Sequence, residues 1–393
     1  TDQPLHRAVP DIGGHAVETV GWQVTGKGVL PDNSIRLLEN GEQAFPAMLD
    51  AIASAKQEVL LMTYIFERDD VGQRFVEALQ AADAKGVRTC VLLDDVGRRH
   101  NFPTILPKLR RAGIETQCFN PLRFIPPNLG INLRNHRKML IVDQQVAFSG
   151  GMNIGSRHLV DTPSKGQASD LCFQFQGAVV AGMRHIFAKD WARSGGASLG
   201  ESVPSTLPAK GASGCRLVSD GPDEELDNLT LTIIGALSSA QQRIVLITPY
   251  FLPNLRIVGA LQAAAIRGID VRVIVPARCN WPMVRWALNH RIANLQSVGI
   301  KFFEQPPPFA HSKCLLIDGD YALVGSANFD ERSLRLNFEL GIEIFDRAYN
   351  QVLEQYVAKC LAKSRELDAA SINSRTTLTK LRDALASLFA PYL

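Results

Sequence analysis

Two stretches of the chain repeat one sequence of apolar runs and helical stripes. "QEVLLMTYIFERDDVGQRFVEALQAADAKGVRTCVLL" starts at Gln57, and "QRIVLITPYFLPNLRIVGALQAAAIRGIDVRVIV" starts at Gln242. Each reads as a short apolar strand, a loop, an amphipathic helix, a glycine turn (Gly86, Gly268) and a second apolar strand. The helical spacing puts Phe75, Leu79 and Ala82 on one face of the first helix, and Leu261, Ala264 and Ala265 on one face of the second. Strands that alternate with helices predict a βαβ unit with parallel pairing. Both copies continue alike. "LRRAGIETQCFN" from Leu109 and "LQSVGIKFFEQ" from Leu295 each give a helix end, a glycine and a strand.

The chain therefore divides into a first half, 34–193, and a second half, 215–347. Residues 194–214, "SGGASLGESVPSTLPAKGASG", are rich in Gly, Ser and Pro, lack an apolar period and read as a linker. Residues 1–33 read as an N-terminal extension and 348–393 as a C-terminal helical segment. "TTLTKLRDALASLFAPYL" has the spacing of an amphipathic helix. It reads either as a cap on the core or as a helix lying on a membrane surface. No apolar run reaches the ~18–20 residues of a bilayer span. The first residues lack the basic and apolar regions of a signal peptide.

The polar residues that interrupt this pattern also repeat. "NHRKMLIVDQQVAFSGGMN" from Asn135 and "HSKCLLIDGDYALVGSAN" from His311 hold His, Lys, Asp, Gly and Asn at matching places. His136, Lys138, Asp143, Gly150 and Asn153 each recur 175 positions later, as His311, Lys313, Asp318, Gly325 and Asn328. A duplicated core would keep apolar positions; it has no reason to keep His and Lys. On a strand, residues two apart share a face, so each His and its Lys point the same way. "MLIVD" and "CLLID" then run through the core, and Asp143 and Asp318 stand at the following turn, where they read as structural anchors.

Two His, two Lys and two Asn suit phosphoryl chemistry. Lys ammonium and Asn amide groups donate to oxygen anions whose charge grows in the transition state. One imidazole attacks phosphorus and the other protonates the leaving oxygen, an in-line displacement in two steps. The lysines compensate the charge, so the pattern calls for no metal and no cofactor. A carboxylate on the far ring nitrogen would orient a nucleophilic His. Asp170 and Glu339, each entering a strand after its motif, are the candidates. The remaining histidines, His6, His15, His100, His158, His185 and His290, read as surface or satisfied side chains.

Composition narrows the function classes. A chain of 393 residues suggests about two domains. With 46% hydrophobic and 21% charged residues it reads as a soluble globular protein. A net charge of +3 is too small for bulk nucleic-acid binding, and "RNHRK" (134–138) is the densest local basic cluster. Seven scattered cysteines with no CxxC pair point to buried thiols rather than a disulfide or metal framework.

The two HxKxxxxD units, each followed by Gly-Gly-x-Asn or Gly-Ser-x-Asn, resemble the phospholipase D superfamily. Together with "LLENGEQAFPAML", "FAKDW", "TPYFLP" and "GSANFDERSLRLNFEL", they resemble most its bacterial cardiolipin synthase branch. The resemblance runs from about Ser34 to Asp346. It implies an α/β fold, a pseudo-twofold duplicated α/β/α sandwich with one active site between the halves. It implies a covalent phosphatidyl-histidine intermediate resolved by water or an alcohol, with His136 as nucleophile and His311 as acid and then base. The acids are crossed in the family, so Glu339 would orient His136 and Asp170 would orient His311. Lys138, Lys313, Asn153, Asn328 and Ser326 would hold the phosphate, and Asp143, Asp318, Gly150, Gly151 and Gly325 would shape the motif.

The substrate implied is a phospholipid, met at a membrane surface by a peripherally bound monomer, in the cytoplasm or at the membrane; a secreted form stays open. Head-group hydrolysis, head-group exchange and the joining of two phosphatidylglycerols into cardiolipin are the outcomes. The alternative is a phosphodiesterase acting on nucleic acid by the same two-histidine route, although no nucleic-acid partner is expected. The loops "NPLRFIPPNLGINLRN" and "EQPPPFA", with Trp281 and Trp286 in "CNWPMVRWALNHR", read either as lipid-facing or as loop packing.

Overall fold

The computed structural model describes residues 16–100, 102–122, 132–162, 166–200, 211–223, 225–368 and 374–390. Residues 1–15 of the expected extension, with His6 and His15, lie outside the described residues. So do 123–131 of the proline-containing loop, 201–210 of the expected linker and 391–393. The chain forms two compact units. One holds Leu30–Leu217 with Asn337–Leu340; the other holds Val218–Leu336, Gly341–Leu393 and the stretch up to Val29. Helix α1 (Ala16–Thr25), inside the expected extension, belongs to the second unit and packs on the helix Asn228–Ser239.

The first unit continues with β1 (Leu30–Glu39), α2 (Asn40–Ala53), β2 (Glu58–Thr63), α3 (Asp70–Asp83), β3 (Arg88–Asp94), α4 (Leu106–Arg111), β4 (Glu115–Phe119), β5 (Met139–Val142), β6 (Val146–Gly150), β7 (Ala168–Ser169), β8 (Leu171–Gln176), α5 (Ala178–Arg193) and the start of β9 (Ser213–Asp220). Strand β1 starts ahead of the expected boundary at Ser34. β2 pairs parallel with β3, and β3 with β4. β2–β5, β5–β6, β6–β8 and β8–β1 are antiparallel.

The second unit runs through α6 (Asn228–Ser239), β10 (Arg243–Ile247), β11 (Phe251–Leu252), α7 (Leu255–Ile266), β12 (Asp270–Pro276), α8 (Pro282–Gln296), β13 (Lys301–Gln305), β14 (Phe309–Ala310), β15 (Cys314–Ile317), β16 (Tyr321–Gly325), β17 (Phe329–Asp330), α9 (Glu331–Arg335), β18 (Glu339–Phe345), α10 (Arg347–Lys363) and β19 (Arg365–Glu366). A C-terminal helix, Thr377–Leu388, follows. The order β13–β12–β10–β15–β16–β18 repeats β4–β3–β2–β5–β6–β8, with the same two parallel and three antiparallel pairings.

The strands are continuous apolar runs because both sheet faces are covered. In β2, Val59 and Leu61 join a core with Phe45 and Ile52 of α2 and Phe75 and Leu79 of α3. Helix α5 packs on β1, β2, β4, β5, β6 and β8. Helix starts are capped in the sequence: Asp69 accepts from the Gly72 N–H at 2.9 Å ahead of α3, and Asn254 accepts from the Ile257 N–H at 3.1 Å ahead of α7. No helix among the described residues is long and apolar enough to cross a membrane.

Candidate active site

His136 and His311 stand just before the buried strands β5 and β15, each leading into the repeated motif. The far ends of those strands are fixed identically. Asp143 accepts from the N–H groups of Lys56, Gln57 and Glu58 at 2.8, 2.7 and 2.9 Å. Asp318 accepts from those of Gln241, Gln242 and Arg243 at 2.7, 2.8 and 2.7 Å. Each aspartate thus pins the entry of the neighbouring antiparallel strand, β2 or β10. Each also opens a turn in left-handed conformation: φ is 51° and 55° at Asp143 and Gln144, and 54° and 79° at Asp318 and Gly319. Gly150 and Gly325 close the hairpins at the same φ of 154°, and a Cβ on Gly150 would meet the Leu171 carbonyl at 2.4 Å.

In the first unit, Nδ1 of His136 lies 2.9 and 3.1 Å from the two carboxylate oxygens of Glu339. Glu339 is fully buried and His136 is mostly so. A carboxylate accepts, so Nδ1 carries the ring proton in the neutral imidazole and Nε2 carries the lone pair. Asn337 Nδ2 donates to Glu339 Oε1 at 3.2 Å. Backbone pairing holds the acid in place: His136 N–H donates to Phe338 O at 2.9 Å and Phe338 N–H to Arg134 O at 2.8 Å.

The basic cluster around His136 is internal. Arg134 and Arg137 are each 1% exposed and Lys138 4%. Arg137 spans Asp190 with bonds of 2.9 and 2.8 Å and donates from Nε to Glu339 O at 2.9 Å. Asn135 Nδ2 donates to the same Asp190 at 2.9 Å. Arg134 lies 3.7 Å from Asp94. Burial pushes the Asp94 carboxyl above its ordinary range, opposed by that guanidinium and by the N–H groups of Gly97, Asn135 and Val96. "RNHRK" therefore scaffolds His136 and offers no arginine to a polyanion.

The two lysines fold back alike, Lys138 Nζ donating to His136 O at 2.6 Å and Lys313 Nζ to His311 O at 2.5 Å. Lys313 Nζ also lies 3.0 and 3.1 Å from the ring nitrogens of His311. Asn153 accepts the Ile65 N–H through Oδ1 at 3.0 Å, which fixes the direction of its amide. Its own N–H donates to Nε2 of buried His158 at 3.3 Å, and His158 Nδ1 then donates to Ala168 O at 3.1 Å. His158 is a satisfied histidine, and its work is to place Asn153. Asn328 donates through Nδ2 to Ser333 Oγ at 3.1 Å; a hydroxyl can equally donate to the amide oxygen, which would turn the NH₂ outward. Ser326 is fully buried.

Sheet register pairs the two acids. Gly150 faces Cys172, and Gly325 faces Gly341; Asp170 and Glu339 each precede that partner by two residues. Asp170 is buried, and its carboxylate accepts from the Leu171 N–H at 2.8 Å. A Cβ on Gly151 would come within 2.7 Å of Asp170 Oδ1, so the second glycine of the first copy clears room for the acid.

The sequence reading missed several neighbours of the motif. The Tyr64 ring stands edge-on to the His136 ring with centroids 5.2 Å apart, and Lys138 Nζ lies 5.6 Å from its centroid. In the second unit Phe309 packs 5.9 Å from the His311 ring and 6.0 Å from Tyr250. Burial, then the charges of Cys279 and Asp330, raise the Tyr250 phenol well above its ordinary value, so it stays protonated. The signal was the tyrosine after each first strand, in "TYIF" and "TPYF". Phe309 belongs to "EQPPPFA", so that loop ends against the motif histidine His311.

A family model described as "Cardiolipin synthase, PLD-like domain" matches residues 48–191 and 233–361. The chain belongs to that family. The Major cardiolipin synthase ClsA of Bacillus subtilis (strain 168) is 31% identical over 365 residues, 92% of this chain and 76% of that protein. Cardiolipin synthase A of Pseudomonas aeruginosa (strain LESB58) is 32% identical over 372 residues, 94% of this chain and 76% of that one. Among solved structures, phosphatidylserine synthase from Haemophilus influenzae Rd KW20 is similar with a TM-score of 0.75 over 96% of this chain and 100% of that chain, at 13% identity. That likeness is one of fold. Within the cardiolipin synthase, PLD-like family, this chain carries both HxK motifs complete, each just ahead of the equivalent strand of its unit, β5 or β15.

Proposed function

We propose that the chain is a phosphatidyltransferase of the phospholipase D type that joins two phosphatidylglycerols into cardiolipin, with hydrolysis to phosphatidic acid as the side reaction. The observation that carries the reading is the His136–Glu339 pair: a buried carboxylate 2.9 Å from Nδ1 leaves the lone pair of the imidazole on Nε2, as a nucleophile requires. The second HxK motif and the family of cardiolipin synthases support it.

In the first step His136 Nε2 attacks phosphorus, the bond from phosphorus to the head-group oxygen breaks, and His311 delivers a proton to that oxygen as glycerol leaves. In the second, His311 takes the proton of the acceptor hydroxyl, the new oxygen bonds to phosphorus and the P–N bond breaks. Water in the acceptor's place gives phosphatidic acid. Lys138, Lys313, Asn153, Asn328 and Ser326 hold the phosphoryl oxygens, Glu339 orients His136 and Asp170 orients His311. The reaction calls for no metal. One chain carries both histidines, so a monomer suffices, working at a membrane surface to which it binds peripherally.

Incubation with phosphatidylglycerol vesicles tests the reading. Free glycerol forms in an amount equal to cardiolipin plus phosphatidic acid, and all three vanish with His136→Ala. Absence of cardiolipin, phosphatidic acid and any phosphatidyl-alcohol across a lipid panel would sink it.

A further inference from the structure

The C-terminal helix Thr377–Leu388 is built the opposite way round from a helix that merely caps a core. Its inward residues are small or polar: Ala386, Ala390 just past its end, and Asp383 are at most 4% exposed. Its large apolar residues face out. Leu378 is 80% exposed, Leu381 56%, Leu385 52% and Leu388 73%, and Phe389 after the last turn 53%. Positions 378, 381, 385 and 388 follow one stripe at helical spacing. The stripe is not a frayed end, because the helix is fixed to α8 at two heights. Arg375 donates to Asn289 O at 3.3 Å, and the Arg382 guanidinium lies 4.4 Å from the Trp286 ring centroid. These contacts run the helix antiparallel to α8, so its last turn points toward the end of α8 that begins at Trp281, itself 65% exposed.

Charge names the occupant. The only acid of the helix, Asp383, is buried and held by Arg375 and Arg382, so the helix itself puts no carboxylate on its outward face. Lys380 flanks the leucines and is exposed, while the Arg382 guanidinium is engaged by Asp383 and Trp286. An apolar stripe edged by a lysine, on a helix packed against α8 whose preceding Trp281 is also exposed, matches an anionic lipid surface, where leucines enter the acyl boundary and the ammonium meets phosphate. We propose that this helix docks the second unit on bilayers of anionic phospholipid. The inference rests on the phospholipid reading for its ligand, and its test separates the two.

The chain and the double variant Leu381→Gln/Leu385→Gln are floated with vesicles of phosphatidylglycerol in phosphatidylcholine, and both are assayed on monomeric short-chain phosphatidylglycerol. The expected result is at least a tenfold loss of vesicle binding in the variant, with monomer turnover within twofold. Binding of the parent chain should fall as phosphatidylcholine replaces phosphatidylglycerol. Equal vesicle binding of the two proteins would overturn the proposal. So would a dimer in sedimentation equilibrium that the double variant dissolves, since the stripe would then meet a second copy. Vesicle binding that depends on the leucines, with no turnover of any lipid, would uphold the docking surface and remove the catalytic reading alone.

Discussion

Glu339 lies 203 positions from His136 in the chain and holds Nδ1 of its imidazole at 2.9 Å. The acid arrives on the short segment Asn337–Leu340, which folds with the first unit although its neighbours on both sides belong to the second. Glu339→Gln keeps the shape and can still bond Nδ1, but removes the charge that steadies the imidazolium. We expect kcat to fall roughly a thousandfold, with an unchanged unfolding midpoint in urea as the control. A fall below tenfold would deny Glu339 its orienting role.

The two histidines are distinguishable with a substrate whose leaving group needs no proton. On a p-nitrophenyl phosphatidyl ester, His311→Ala should release about one equivalent of p-nitrophenol in a burst and then stall as phosphohistidine. His136→Ala should give no burst, and peptide mapping should place the phosphoryl group on residue 136. A burst from His136→Ala would assign attack to the other ring.

The motif aspartates should behave as structural residues. Asp318→Asn exchanges a carboxylate that accepts three N–H bonds for an amide, and stability should fall by about 2 kcal/mol. Turnover of the folded variant should stay within twofold. Urea unfolding read beside the rate checks both; a hundredfold rate loss at unchanged stability would move Asp318 into the chemistry.

Removing Arg137 should be the most damaging change near His136. It leaves Asp190 buried without its guanidinium and Glu339 O without its Nε donor. Arg137→Met should cost about 3 kcal/mol, measured as ΔG of unfolding, and Arg137→Met/Asp190→Leu should recover part of that loss.

Asp69 predicts a pH dependence. Burial alone would raise its carboxyl, but the N–H groups of Gly72 and Ser156 outweigh burial and hold it below its ordinary value. Its contribution is therefore complete above the unfolded carboxylate value and is lost as pH falls through the lower folded one. Asp69→Asn keeps an acceptor for the Gly72 N–H but turns an NH₂ toward the Ser156 N–H, and should lower stability at pH 7 by about 1 kcal/mol. The gap between the two proteins should narrow below about pH 4, which urea titrations at pH 7 and pH 3 would register.

The local layers of this fold were legible in the sequence. Short apolar runs and helical spacing marked β2, α3, β3 and their counterparts, and the 175-residue displacement marked both motifs. Asp143 and Asp318 were recognisable as anchors because an acid at a strand end beside a turn has backbone donors within reach. What stayed hidden was long-range or concealed by burial. Arg134 and Arg137 look like a polyanion grip until Asp94 and Asp190 are seen beneath them, 40 and 53 positions away in sequence. Tyr64 sits in an apolar run and gave no polar signal. His158 reads from sequence as a surface or a satisfied residue, and the choice stayed open because its partners, the Asn153 N–H and Ala168 O, are main-chain groups without sequence identity.

The borrowed segment Asn337–Leu340 has a consequence for anyone dividing this protein. A fragment ending at Leu217 would lack Phe338, whose ring lies 4.6 Å from the Arg193 guanidinium and 5.0 Å from the ring of Phe119. It would also lack the carboxylate beside His136. The first piece expressed alone should thus be defective, and a useful cut has to carry residues 337–340 along with it.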